Sequence, residues 1–200
     1  MDKVIESFAG KVAKWLISSE RIPREKEDVY QYAALIAIQS AINIIAMLLI
    51  GLLGGKFFEN ICFFIAFKFL RKFSGGLHSA KFSICFLISV VSNILVVLSV
   101  YLFEHYNLFW LMMLLEILSL ILVFIFAPVS NKNKSITQRE SKAYKVIACV
   151  ISVALVVVSL FLAKYCLKWI FPIGLAMVLN SLLIIVEKVK SIPSFANSKK

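Results

Sequence analysis

The sequence predicts an all-α, polytopic membrane protein with six membrane-spanning segments and an N-terminal amphipathic helix. Three observations carry this. The 200-residue chain is 61% hydrophobic with a mean hydropathy of +0.91, far above a soluble balance. It holds five apolar runs near the ~20 helical residues that a bilayer core requires. Its basic residues alternate between rich and poor connections, as the positive-inside rule demands. The whole chain, 1–200, reads as one integral membrane domain. Residues 1–31 form an amphipathic helix and linker, 32–186 the bundle and 187–200 a tail.

The elements follow in order. Over residues 3–16, Val4, Ile5, Phe8, Val12, Trp15 and Leu16 fall on about one third of a helix circumference. Lys3, Glu6, Ser7, Lys11 and Lys14 take the remainder, so this segment reads as a helix lying on the inner membrane face. It serves either as a membrane anchor with no further role or as part of a docking surface for an amphipathic partner. The first thirty residues hold six basic and six acidic side chains without a continuous apolar core, unlike a secretory signal peptide. Pro23 and the charged run Arg24–Asp28 end this helix and lead into the first span.

The long apolar runs are 32–53, 82–103, 108–127, 144–163 and 169–186. A sixth, 57–70, is short and carries Glu59 and Lys68 near its ends. It either crosses with those charges snorkelled or enters the bilayer partway and returns. Charge decides for crossing. With six spans, Lys and Arg divide 19 to 3 between the two sides. Both termini then lie in the cytoplasm, with the 68–81 and 132–145 connections beside them. Without that crossing, these basic loops would sit opposite the basic N-terminus. The net charge of +11 is thus mostly a topology signal, and nothing points to nucleic acid. Pro128 stops the fourth span. The tail from Ser191, with Pro193 and two terminal lysines, reads as mobile, with no visible site.

Chemistry is concentrated in Arg71-Lys72-Phe73-Ser74-Gly75-Gly76-Leu77-His78-Ser79-Ala80-Lys81-Phe82-Ser83-Ile84-Cys85. His78, one of two histidines, stands seven residues before Cys85. An imidazole can take a thiol proton, and Arg71, Lys72 and Lys81 can stabilise the thiolate. On one straight helix the two Cα atoms would lie ~10.5 Å apart along the axis, with His78 leaning away. A working pair therefore needs a bend, which Gly75-Gly76 permits. The helix carrying Cys85 then begins between Ser79 and Phe82. From spacing alone a buried structural cysteine beside an unrelated loop histidine is the alternative. Cys62, Cys149 and Cys166 sit in or beside other apolar runs, without metal-like or disulfide-like spacing. No metal or cofactor is expected. His105, next to Glu104, reads as a solvated loop residue.

Arg71, Gly75-Gly76, His78 and Cys85, together with Ala127-Pro128 and Asn131-Lys132, resemble the accessory gene regulator protein B family. The likeness covers nearly the whole chain. The resemblance implies a membrane cysteine endopeptidase that processes the precursor of a cyclic autoinducing peptide in quorum sensing. It implies Cys85 as nucleophile, His78 as base, and Arg71 and Gly76 as residues needed for activity. It also implies a precursor with an amphipathic leader, a short signal segment and a charged tail. Lys72, Lys81, Lys132, Lys134 and Arg139 lie on the expected side to hold that tail.

Other enzyme classes are disfavoured. There is no HExxH zinc motif and no Walker A sequence, and the only aspartates, Asp2 and Asp28, lie outside the spans. Glu116, mid-way along the fourth span, is expected to be protonated or paired, within the bundle or at a homodimer contact. Gln39, Asn43, Asn93 and Asn180 are expected to bond across helices, and some could line a polar cleft leading to Cys85. A small transporter or peptide-binding membrane protein is the rival reading, distinguished by an unreactive Cys85.

Overall fold

The structure, a computed structural model, describes residues 2–18, 27–75, 82–129 and 138–197. It is all-helical: α1 (Asp2–Ser18), α2 (Glu27–Leu53), α3 (Phe57–Ser74), α4 (Phe82–His105), α5 (Phe109–Phe126), α6 (Gln138–Tyr165) and α7 (Ile170–Asn197). A single 3₁₀ turn, Leu167–Trp169, precedes α7. Among the described residues, five helical stretches are long and apolar enough to cross a bilayer: Glu27–Leu53, Phe86–His105, Phe109–Phe126, Arg139–Tyr165 and Leu167–Val189. The chain is a membrane protein. Large apolar side chains such as Leu87, Leu98, Trp110, Ile125 and Phe161 face outward, as they must where lipid is the solvent.

α7 is the central helix, packed against α3, α4, α5 and α6. Its Ile170, Phe171, Ile173, Ala176, Met177 and Ile184 are all buried. Small residues let neighbours come close, and a Cβ on Gly174 would stand 2.6 Å from the Met112 sulfur of α5.

Polar groups join the helices at several buried points. Asn60 of α3 pairs with Asn93 of α4. Ser159 of α6 donates to Glu116 of α5 at 2.7 Å, so the mid-span carboxyl is 1% exposed yet paired within the bundle. Ser181 of α7 donates to Ser119 of α5 at 3.3 Å. The expected interhelical role of Asn43 gives way to a local one. Its amide donates to the Gln39 carbonyl one turn back on the same helix, at 3.2 Å.

The two ends of the bundle differ. At one end lie the short turns 54–56 and 106–108 and the 3₁₀ turn. Lys56 pairs with Glu104 there, Lys168 reaches Glu59 at 3.5 Å, and the Tyr101 hydroxyl donates to the Gly54 carbonyl at 2.5 Å. The segment after α5 approaches the end of α3 at the other end, where Phe73 meets Tyr144 edge to face. α3 thus starts at the first end and finishes toward the second, a rise of about 27 Å for its 18 residues. It fails the composition of a span because Glu59, Lys68, Arg71 and Lys72 lie on it.

Three sequence expectations change. α3 runs four residues beyond 70, because Leu70 is buried and nothing breaks the helix before Gly75. α1 packs on α2 through Ile5 and Ala9, with Gly10 facing Gln31, while Phe8 and Trp15 point outward at 57% and 60% exposure. The apolar arc is therefore split, one edge against protein and one facing away from it. α7 does not stop near 187 but continues through Pro193 to Asn197. Glu187, Lys188 and Lys190 are good helix formers and carry it past its apolar part.

Candidate active site

The site is built where α3 ends. Gly75 takes φ 77°, ψ −159°, a conformation that β-carbon-bearing residues avoid, and its N–H still donates to the Arg71 carbonyl at 3.2 Å. After α5, Ala127 is extended, as the residue before a proline is biased to be, and the Ala127–Pro128 bond is cis. Val129 then lies alongside Gly75 in a parallel bridge, its N–H donating to the Ser74 carbonyl at 3.1 Å. A Cβ on Gly75 would come within 2.3 Å of the Val129 carbonyl oxygen. The two motif-bearing connections, far apart in sequence, thus touch at their first residues.

Behind this contact is an apolar cluster of Val123, Ala127, Ala148 and Ile184, with Phe73 and Val129 packed against it. The Ser74 hydroxyl donates to Asn180 Oδ1 at 2.9 Å, and both residues are 0% exposed. α7 continues past Asn180 to Asn197, roughly 25 Å at 1.5 Å per residue. The Gly75–Val129 contact is consequently set back along the bundle from the end of α7.

Cys85 occupies the first turn of α4, which begins at Phe82, the late edge of the expected start. Arg71 stands in the last turn of α3, half-buried, with its guanidinium 5.6 Å from the Phe67 ring centroid. Lys72 is exposed, its ammonium 5.4 Å from the Phe73 ring centroid, and Arg139 is exposed near the start of α6. Gly76, His78 and Lys81 fall in 76–81, and Lys132 and Lys134 in 130–137. Both segments lie outside the described residues, so the His78–Cys85 pairing rests on the sequence. Cys62 and Cys149 are part-buried on α3 and α6, and Cys166 is exposed at the far end. His105 is exposed against Tyr106 at that same end. Among the described residues, no three His, Cys, Asp or Glu side chains group as a metal centre.

Sequence reasoning did not find the Ser74–Asn180 bond or the role of Val129. Asn180 was legible as an interhelical donor or acceptor, but its partner is the residue from which the active-site connection departs.

The accessory gene regulator B family matches residues 9–186. AgrB-like protein 2 of Clostridium perfringens strain 13 is 31% identical over 149 residues, covering 71% of this chain and 69% of its own. Accessory gene regulator protein B of Staphylococcus saprophyticus is 24% identical over 162 residues, 81% of this chain and 85% of its own. The protein of that name from Staphylococcus aureus strain Newman is 27% identical over 122 residues, 61% of this chain and 64% of its own. No solved structure matches. A family match over residues 9–186, nearly the whole length, makes the chain a member of the accessory gene regulator B family.

Proposed function

We propose that this chain is a membrane-embedded cysteine endopeptidase that processes a quorum-sensing peptide precursor at the cytoplasmic face. One observation carries the reading: the connection bearing His78 and the segment after Pro128 leave their helices in direct contact, and Cys85 sits in the first turn of the next helix. In this reading all six helices α2–α7 cross, α1 lies at the inner interface, and both termini are cytoplasmic. The 27 Å rise of α3 and the 19-to-3 charge split support the crossing.

His78 takes the Cys85 proton, and the thiolate attacks the carbonyl carbon at the end of the signal segment. The C–N bond breaks, and the departing amine takes the proton back from His78. The signal segment remains as a thioester on Cys85. A thiol in the precursor can then attack that thioester, closing a thiolactone and freeing the Cys85 thiolate. A precursor hydroxyl would close a lactone by the same path. Exchange of one acyl bond for another of similar energy needs no nucleotide.

The test is mass spectrometry of purified enzyme and precursor in liposomes. Cys85→Ala and His78→Ala should each abolish tail release while inserting normally, and Cys62→Ala, Cys149→Ala and Cys166→Ala should stay active. Tail release by Cys85→Ala would overturn the reading.

A further inference from the structure

We infer that Asn180 is a positioning residue of the active site: from α7 its carboxamide holds Ser74, and through Ser74 the point where the 76–81 connection leaves α3. The inference rests on the peptidase reading and adds to it a residue 106 positions from its partner.

Ser74 is tied down from two sides. Its hydroxyl donates to Asn180 Oδ1 at 2.9 Å, and its carbonyl accepts the Val129 N–H at 3.1 Å. One residue thus joins α3, α7 and the segment following α5. Both Ser74 and Asn180 are 0% exposed, so no water competes for the bond, and its electrostatic strength is that of a low-dielectric interior.

The next residue translates that anchor into a direction. Gly75 is bonded back to Arg71, takes a positive φ, and has no room for a side chain against Val129. With Ser74 held and Gly75 so confined, the direction of the backbone at Gly75, where it leaves α3, is set. Seven residues later it must re-enter a helix at Phe82, with Cys85 in the first turn. Gly75 and Phe82, the described residues that flank the His78 connection, are thus both placed, and Gly75 is placed through Ser74 by Asn180.

Packing alone does not account for an asparagine here. Its Nδ2 has no hydrogen-bond partner among the described residues, although the side chain is fully buried. An unmet amide donor in an apolar interior is costly, and a leucine, of the same branched shape though larger, would avoid that cost. What a leucine lacks is the Oδ1 acceptor for Ser74.

The experiment reads the reactivity of Cys85 itself, which a merely structural residue would not move. Full-length protein carrying Cys62→Ala, Cys149→Ala and Cys166→Ala is reconstituted in lipid nanodiscs. The rate of Cys85 alkylation by iodoacetamide is followed against pH, and precursor cleavage is measured in parallel. With Asn180 present, Cys85 should alkylate with a midpoint below the ~8.5 of an ordinary thiol. Asn180→Leu and Ser74→Ala should each move that midpoint back toward the ordinary value. Each should lower kcat on the order of 10- to 100-fold, as loss of alignment does, with KM little changed. The double variant should be no worse than the worse single one, because both remove the same bond. Ser181→Ala, the next residue on α7 and bonded to Ser119, should leave the profile in place.

Folded Asn180→Leu with an unmoved profile and kcat would overturn the inference. Should that variant fail to assemble, Ser74→Ala deletes the same bond with a smaller change, and an unmoved profile there overturns it equally. A parent protein whose Cys85 alkylates as an ordinary thiol would overturn the peptidase reading and this inference with it.

Discussion

Asn60 on α3 and Asn93 on α4 exchange amide hydrogen bonds in both directions, at 3.0 and 3.4 Å, and Asn60 also donates to the Met47 carbonyl of α2 at 2.7 Å. Three helices are joined at one buried point. Removing one amide strands the other in an apolar interior, at a cost of about 1–3 kcal/mol. Asn93→Leu should therefore destabilise the protein, and Asn60→Leu/Asn93→Leu should recover part of the loss. Unfolding in mixed micelles by graded denaturant measures this. Strictly additive effects would show that the two amides act independently.

Gly75→Ala should abolish precursor cleavage. A side chain there costs roughly 1–3 kcal/mol in a backbone region that essentially only glycine enters, and it must also displace the Val129 carbonyl, 2.3 Å from its Cβ. The contact between Gly75 and Val129 would open. Cleavage by mass spectrometry, with membrane insertion checked by immunoblot, decides this. Gly75→Ala with full activity would mean that the contact has no bearing on catalysis.

Topology is read by membrane-impermeant thiol labelling of intact cells. Single cysteines at Lys72, Arg139 and Asn107 are all at exposed positions, whereas Ser74 is buried and unsuited as a reporter. Only position 107 should label. Labelling at 72 would show that α3 does not cross.

The basic residues near the site should grip an acidic tail weakly and collectively. Surface ion pairs contribute only ~0.2–1 kcal/mol each and are screened by salt. KM should rise with ionic strength while kcat changes less, and Lys132→Gln/Lys134→Gln should raise KM without removing activity. Arg71→Ala should be more damaging, since a guanidinium can fork onto a carboxylate. Initial rates at low and high salt provide the measurement. A KM indifferent to both salt and these substitutions would leave the charges as topology signals alone.

Hydropathy located the five long helices because a bilayer demands ~20 apolar residues in a row. It misplaced their ends because it reports the lipid-matched part of a helix, not the helix. Hence α7 outruns its apolar stretch to Asn197 and α2 begins at Glu27. The helical wheel found the apolar arc of α1, but which edge meets α2 depends on Ile5 and Ala9 fitting against that helix, a matter of shape. The motif from Arg71 to Cys85 was legible as chemistry. The partners of Ser74 and Asn60 were not, since a polar residue in an apolar run announces that it needs a partner without saying which. Asn43 illustrates the ambiguity, its need met one turn back on its own helix.

The ion pairs Lys56–Glu104 and Lys168–Glu59 join the turns that link α2 to α3, α4 to α5 and α6 to α7. Each of these turns is only a few residues long, whereas the connections at the opposite end span 75–81 and 127–137. The protein therefore has three hairpins clipped together at their tips, with the longer connections at the opposite end. Helix separation is thereby restrained at the tips, opposite the end where α4 starts with Cys85 in its first turn.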